Sequence, residues 1–317
     1  MSNIVTDPAE LWQLLGLDQS LLPKAYLAAK QFPLKVTHSY LQRIKRGHLH
    51  DPLLKQVLPI DLELNTHDDY VSDPLAEKEA NPIPGLLHKY HGRVLVTLTS
   101  ACAIHCRYCF RRHFPYADNT PGRPGWDNIL AYIASDNSIE EVILSGGDPL
   151  SVSDQLLNQF SQRLKLIPHV KTLRLHTRLP IVLPSRVTAL LCEWIKSLPF
   201  SVVIVLHCNH AQEINDEVLQ AITRLQNAGA HLLNQSVLLR EINDDVETLV
   251  QLSSALFSAG VMPYYLHTLD KVAGAMHFDI PQSKATALHS GMMKRLPGYL
   301  VPRLVREEPG ADSKTLL

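Results

Sequence analysis

A chain of 317 residues has room for one large barrel or two ordinary domains. Its 45% apolar and 19% charged residues make a globular composition, and a net charge of −1 gives no global reason to expect a nucleic-acid partner. Five cysteines, three of them clustered, argue against a secreted disulfide framework, and neither a signal peptide nor a membrane-spanning apolar run is visible, so a cytoplasmic protein with no membrane partner is expected.

Residues 1–90 read as an N-terminal helical region and arm. Asp7-Pro8 fits an N-cap followed by proline at the first helical position, with Leu11, Leu14 and Leu15 at helical spacing. Further helices are expected at 21–30 and 38–46. The stretch 61–84 is acidic and turn-rich, with Asp73-Pro74 and Asn81-Pro82-Ile83-Pro84, and is expected to run irregularly over the surface. From residue 94 the pattern changes. Strands are expected at 94–98, 141–144, 172–176, 202–207, 231–237 and 262–267, with helices at 126–135, 153–166, 186–197, 213–228, 246–259 and 281–296. Strands alternating with helices of this length imply parallel βαβ units. The expected fold class is α/β, a partial (β/α)6 TIM-type barrel over 91–300 with an N-terminal helical extension; a doubly wound sheet is the alternative. Residues 301–317 form a separate, loop-like C-terminal segment.

The first strand runs into Cys102-Ala103-Ile104-His105-Cys106-Arg107-Tyr108-Cys109. Three thiols at C-x3-C-x2-C spacing suit a cubic iron–sulfur cluster, one thiolate per iron, and leave the fourth iron open to another ligand. Structural zinc is the competing reading, with His105 or His113 as the fourth ligand. Several later strands end in polar residues: His176, His207, Gln235 and His267. In a parallel barrel these ends share one mouth, where sites are built. Ser145-Gly146-Gly147-Asp148-Pro149 follows the second strand; its glycines permit close backbone approach, and Asp148 could accept from an amine or hydroxyl. Lys89, Tyr90 and Arg93 could collect a phosphate, or form a solvated basic turn. Arg111 and Arg112 could hold a carboxylate, or be a surface pair. Asp244 could bind a cation or cap the next helix. Lys314 is a solvated tail residue, or an amine able to carry pyridoxal phosphate (PLP).

The cysteine spacing resembles that of radical S-adenosylmethionine (SAM) enzymes. With Phe-Arg-Arg after the cysteines, then Ser-Gly-Gly-Asp-Pro, His-Thr-Arg-Leu-Pro, Asn-Gln-Ser-Val-Leu-Leu and a late Pro-Gly before Lys314, the chain resembles the lysine 2,3-aminomutase family from about residue 75 onward. Leu86 to His91 and Met262 to His267 resemble the bacterial subgroup that makes (R)-β-lysine for modification of elongation factor P. The resemblance implies that Cys102, Cys106 and Cys109 ligate a [4Fe–4S] cluster. It implies that Gly146, Gly147 and Asp148 line the SAM site, with His207 and Gln235 near it. Lys314 matches the PLP lysine, and Lys89, Tyr90 and Arg93 match positions near PLP. Arg111 matches the holder of the substrate α-carboxylate, and Asp244 and Glu307 match the two acids around the ε-ammonium of L-lysine. Two carboxylates around one ammonium would select a long cationic side chain. The implied reaction moves the amino group of lysine from C2 to C3, with electrons from a flavodoxin or ferredoxin. An aminomutase for arginine or glutamate, or a non-catalytic iron–sulfur or zinc module, are the alternatives. Larger members of the family carry zinc-binding cysteines in a C-terminal extension. Here only Cys192 and Cys208 remain, so no structural zinc is expected. Ala311-Asp312-Ser313 makes the lysine loop less glycine-rich, and Glu307 stands where larger members use a shorter acid.

Overall fold

A computed structural model describes residues 4–120 and 122–317. The N-terminal region pairs β1 (Ile4–Val5) with β2 (Val36–Thr37) and contains α1 (Pro8–Leu15), α2 (Leu22–Gln31), α3 (His38–Leu41) and α4 (Pro52–Lys55). Asp7 caps α1 by accepting from the Ala9 backbone N–H at 3.0 Å, with Pro8 at N1 as expected. The expected helix at 38–46 stops at Leu41. Buried faces of this region, including Leu11, Trp12, Tyr40 and Leu53, join one hydrophobic core with the strands that follow.

Those strands are β3 (Leu86–Tyr90), β4 (Arg93–Thr99), β5 (Glu141–Gly146), β6 (Thr172–Thr177), β7 (Ser201–His207), β8 (His231–Val237), β9 (Met262–His267), β10 (Arg303–Arg306) and β11 (Thr315–Leu316). They form a nine-stranded sheet in chain order from β3 to β11. β4 to β10 are parallel throughout, while β3 and β11 close the two edges in antiparallel sense. The helices α5 (Gly122–Ser135), α6 (Asp154–Leu164), α7 (Leu179–Val182), α8 (Ala189–Ser197), α9 (Asp216–Asn227), α10 (Val246–Ser258) and α11 (Gln282–Met293) lie between them. This is an open, partial barrel. All six expected strands are present. Three more, β3, β10 and β11, were not anticipated, because Leu-Leu-His-Lys-Tyr and Arg-Leu-Val-Arg are too short and too charged to read as strands. The tail is therefore part of the sheet rather than a separate loop.

Period two decides what the lumen contains. In β6, Leu173, Leu175 and Thr177 are buried, while Thr172, Arg174 and His176 face the other way. In β8, Leu232, Asn234 and Ser236 are buried and Gln235 lies on the opposite face. The buried set, Asn234 and Ser236 included, packs outward towards the helices; Arg174, His176 and Gln235 line the lumen. Among the described residues no helix is long and apolar enough to cross a membrane.

Candidate active site

The three cysteines occupy the loop after β4, and this loop is fastened from two sides. Its arginines are held by the stretch 61–84. Fully buried Arg107 donates to Glu63 through Nε at 2.8 Å and again through Nη2, and Arg112 Nη2 reaches Glu63 Oε2 at 2.8 Å. Arg111 forks onto Glu77, Nε to Oε2 at 2.8 Å and Nη2 to Oε1 at 2.7 Å, and donates from Nη1 to Ser145 Oγ at 3.1 Å. The stretch is irregular, as expected, but it is not merely a surface arm: Glu63 and Glu77 are both buried. Acids facing three loop arginines must come inside, because a buried guanidinium needs its partner.

The second fastening is the Gly-Gly-Asp turn. Gly147 donates its N–H to Thr99 O at 3.0 Å, and Asp148 donates its own to Ala101 O at 2.9 Å. A Cβ on Gly147 would lie 2.6 Å from Ala101 O, and one on Gly146, whose φ is +102°, would lie 2.5 Å from Thr97 Cγ2. Gly147 is thus required by backbone contact with the start of the cysteine loop, and Gly146 by its positive φ and the Thr97 side chain of β4. The Asp148 carboxylate is fully committed: it accepts from Thr177 Oγ1 at 2.6 Å and from the N–H groups of Leu150, Arg178 and Leu179 at 3.0, 2.7 and 3.1 Å. It ties β5 to the β6–α7 turn and has no oxygen left for an amine ligand, contrary to the acceptor role suggested by its place in the motif.

The thiols share one environment. Burial raises Cys102 above its ordinary value, and Asp148, Cys109 and Cys106 add to this; burial and Cys106 push Cys109 up to about 11. Cys106 Sγ accepts from Arg178 Nη1 at 2.8 Å. Neither histidine proposed as a zinc ligand turns towards them: His105 Nδ1 bonds Pro33 O at 2.8 Å and His113 Nε2 bonds Ala273 O at 3.2 Å. Among the described residues no three His, Cys, Asp or Glu side chains converge on a single metal ion. A donor set of three thiols with both histidines bonded elsewhere suits a cubane, which takes one thiolate per iron, better than four-coordinate zinc.

Inside the lumen three imidazoles, His176, His207 and His267, are recessed with Nε2 atoms that have no partner. The rings of His176 and His207 lie 5.8 Å apart, edge to face. Burial, then Arg178 and Arg111, lower His207 to about 3; burial, then Lys314, lower His267 to about 3. Burial keeps them neutral, and each leaves a buried ring nitrogen without a protein partner. Gln235 stands between His207 and Tyr265 in the strand register.

The sheet's two edges meet across this lumen. Glu307, after β10, accepts from Lys314, just before β11, and from Lys89 of β3 at 3.3 Å. Lys89 also lies 3.5 Å from Glu77, and Lys314 Nζ sits 5.8 Å from the Tyr265 ring centroid. The Arg93 guanidinium stacks 4.8 Å from the Tyr90 ring, whose phenol is raised by burial and by Glu307. Burial opposes ionisation of Glu307, but the Lys314 and Lys89 ammoniums hold it at about 2.

Asp244 is elsewhere. It accepts from Lys284 of α11 and from the Glu241 N–H at 2.8 Å, while Asp245 is the cap of α10. Asp244 and Glu307 share no partner among the described residues. The acid electrostatically coupled to Glu307 is Asp270, which burial and then Glu307 push up to about 7. Sequence reasoning passed over Asp270, although it lies three residues beyond His267 at a strand end; the rule that strand ends face one mouth would have found it. It also missed Glu63 and Glu77, which no local pattern marks, and gave no role to Arg178, although the His-Thr-Arg-Leu-Pro motif contains it.

Comparison with known proteins accords with this site. Residues 90–182 match the family model described as a 4Fe-4S single cluster domain. The chain is 46% identical over its full length to the L-lysine 2,3-aminomutase of Escherichia coli (strain K12), covering 93% of that protein. It is 43% identical to that of Haemophilus influenzae, again over its full length and 94% of the relative. With the enzyme of Clostridium subterminale it shares 38% identity over 90% of this chain and 69% of the other. A cysteine loop, a lysine tail and relatives of this likeness lead to one conclusion: the chain belongs to the lysine 2,3-aminomutase family and is an isomerase.

Proposed function

We propose that this protein is a SAM- and PLP-dependent lysine 2,3-aminomutase that converts L-lysine into (R)-β-lysine. One observation carries the reading. Lys314, 205 positions beyond Cys109 in the sequence, lies in the same lumen as three unpartnered imidazoles and two facing acids.

In this reading Cys102, Cys106 and Cys109 hold a [4Fe–4S] cluster with one iron open to SAM. The backbones of Gly146 and Gly147 border that position, and His207 and Gln235 form the lumen wall beside it. Lys314 would carry PLP, with Lys89, Tyr90 and Arg93 on the opposing edge to receive its phosphate. Bound there, PLP would stabilise an unpaired electron next to the migrating nitrogen.

The chain's own residues bind and orient the substrate. Of the five N–H donors of Arg111, Glu77 takes two and Ser145 one, which leaves two for the α-carboxylate. Glu307 and Asp270, rather than Asp244, would hold the ε-ammonium. Glu307 must release Lys314 to do so, and Asp270 must lose the proton that its surroundings favour. Neutral imidazoles add no competing cation to the lumen, and the mouth residues exclude water from a reactive radical. Glutamate as substrate would need a cation where these two acids stand.

The subgroup features point to supply of (R)-β-lysine for elongation factor P in the cytoplasm, with a flavodoxin or ferredoxin as electron donor. Residues 1–90, 91–300 and 301–317 would act as support, barrel and cofactor-bearing tail. The test is anaerobic incubation of reconstituted protein with L-lysine, SAM, PLP and dithionite. β-Lysine is expected from the wild type, and no SAM cleavage from Cys106→Ala. Retained cleavage by that variant would reject the cluster assignment.

A further inference from the structure

Arg178 is the one cation in direct contact with a cysteine sulfur among the described residues, and the proposed reaction gives it no role. It stands at the β6–α7 junction, where its backbone N–H is clamped by Asp148. Its side chain is buried. Both hydrogens of Nη1 are used, one on Cys106 Sγ at 2.8 Å and one on Tyr108 Oη at 2.7 Å. Nη2 donates to Gln56 Oε1 at 2.6 Å and to Glu213 Oε2 at 2.9 Å.

These partners are themselves locked. Asn209 Nδ2 donates to Tyr108 Oη at 2.6 Å and to Gln56 Oε1 at 3.1 Å. Glu213 is fully buried and accepts from the backbone N–H groups of Asn209 and His210 at 2.8 and 3.1 Å. The guanidinium is therefore fixed in place and cannot swing away from the sulfur. It is also always charged. In a buried, low-dielectric setting a fixed positive donor on a thiolate favours whichever cluster state carries more negative charge. That state is the reduced one. Hydrogen bonds to ligating sulfurs and nearby charge are two of the factors that set cluster potentials.

We propose that Arg178 is a positioning residue that raises the reduction potential of the cluster through Cys106, and that Glu213, at the far side of the same guanidinium, offsets part of this effect. The proposal rests on the cluster reading above. It assigns opposite signs to two buried residues, which a purely structural role would not do.

The experiment is a potentiometric titration of anaerobically reconstituted protein, followed by electron paramagnetic resonance of the reduced cluster, with iron counted for each variant. Arg178→Gln should disfavour reduction about tenfold, a shift of about 59 mV to more negative potential for one electron. Arg178→Lys keeps the charge and should recover most of the shift. Glu213→Gln should move the potential in the positive direction. Unchanged potentials in Arg178→Gln and Glu213→Gln, at full iron content, would overturn the proposal. If Arg178→Gln does not retain iron, Glu213→Gln decides: a positive shift supports the proposal and no shift overturns it. A wild type without iron would instead refute the cluster reading, and iron analysis shows this before any potential is measured.

Discussion

The two halves of the site are held by different physics. The cysteine loop is locked by buried pairs: the side chains of Arg107, Arg112 and Glu63 are 0%, 1% and 0% exposed, and the Gly146–Gly147 backbone leaves no room for a side chain beneath it. The lysine tail is held by a two-residue antiparallel strand and by pairs around Glu307 whose side chains keep 16–21% exposure. A cluster of fixed shape needs ligands that do not move. A lysine that must exchange partners during turnover needs a contact that can be undone at small cost. The contrast between a fixed loop and a releasable tail is what the proposed chemistry requires of each.

Breaking the rigid half should cost most. Glu63→Ala leaves two buried guanidiniums without a carboxylate and should destabilise the fold by about 3–5 kcal/mol in urea denaturation, with loss of iron on reconstitution. Asp148→Ala removes the acceptor of four hydrogen bonds and should cost about 2–3 kcal/mol by the same measurement.

The releasable half should respond to pH and ligand instead. Burial and then Glu307 push Asp270 up to about 7, so below that value it is mostly protonated and neutral. In the proposed reading the ammonium of lysine needs it ionised. Binding therefore releases a proton, and affinity should fall up to about tenfold per unit as pH drops below 7, level off above it, and lose this slope in Asp270→Asn. Calorimetric titration from pH 5.5 to 8.5 checks this. Lys314→Ala should be the mildest for stability, about 1 kcal/mol or less, because Glu307 keeps Lys89. It should nevertheless abolish PLP absorbance. A thermal shift as large as that of Glu63→Ala would erase the distinction between the two halves.

The legible parts of the fold were those encoded locally. Six strands and the six long helices between them were placed within a few residues, because apolar period and helix length are properties of short windows. The N-cap at Asp7 and the cysteine spacing are equally local. Legibility failed where a residue's role depends on a distant partner. The stretch 61–84 looked like solvated acid and turn, since nothing near Glu63 or Glu77 in the chain shows that arginines wait 44 and 34 positions away. Asp148 read as a ligand, and the structure shows it spending both oxygens on its own scaffold. Asp244 was chosen and Asp270 passed over, although Asp270 follows a strand end; burial and proximity to Glu307 single out Asp270, while Asp244 pairs with Lys284.

The amino-acid sequence by itself determined the parallel α/β architecture, the three-thiol loop and the family, because periodicity and motif spacing are one-dimensional. Only the tertiary structure decided which charges meet: Glu63 and Glu77 with the loop arginines, Glu307 with Lys314 and Lys89, and Arg178 with Cys106. Electrostatic energy depends on distance and burial in space, and sheet curvature sets both by bringing the first and last strands across one lumen.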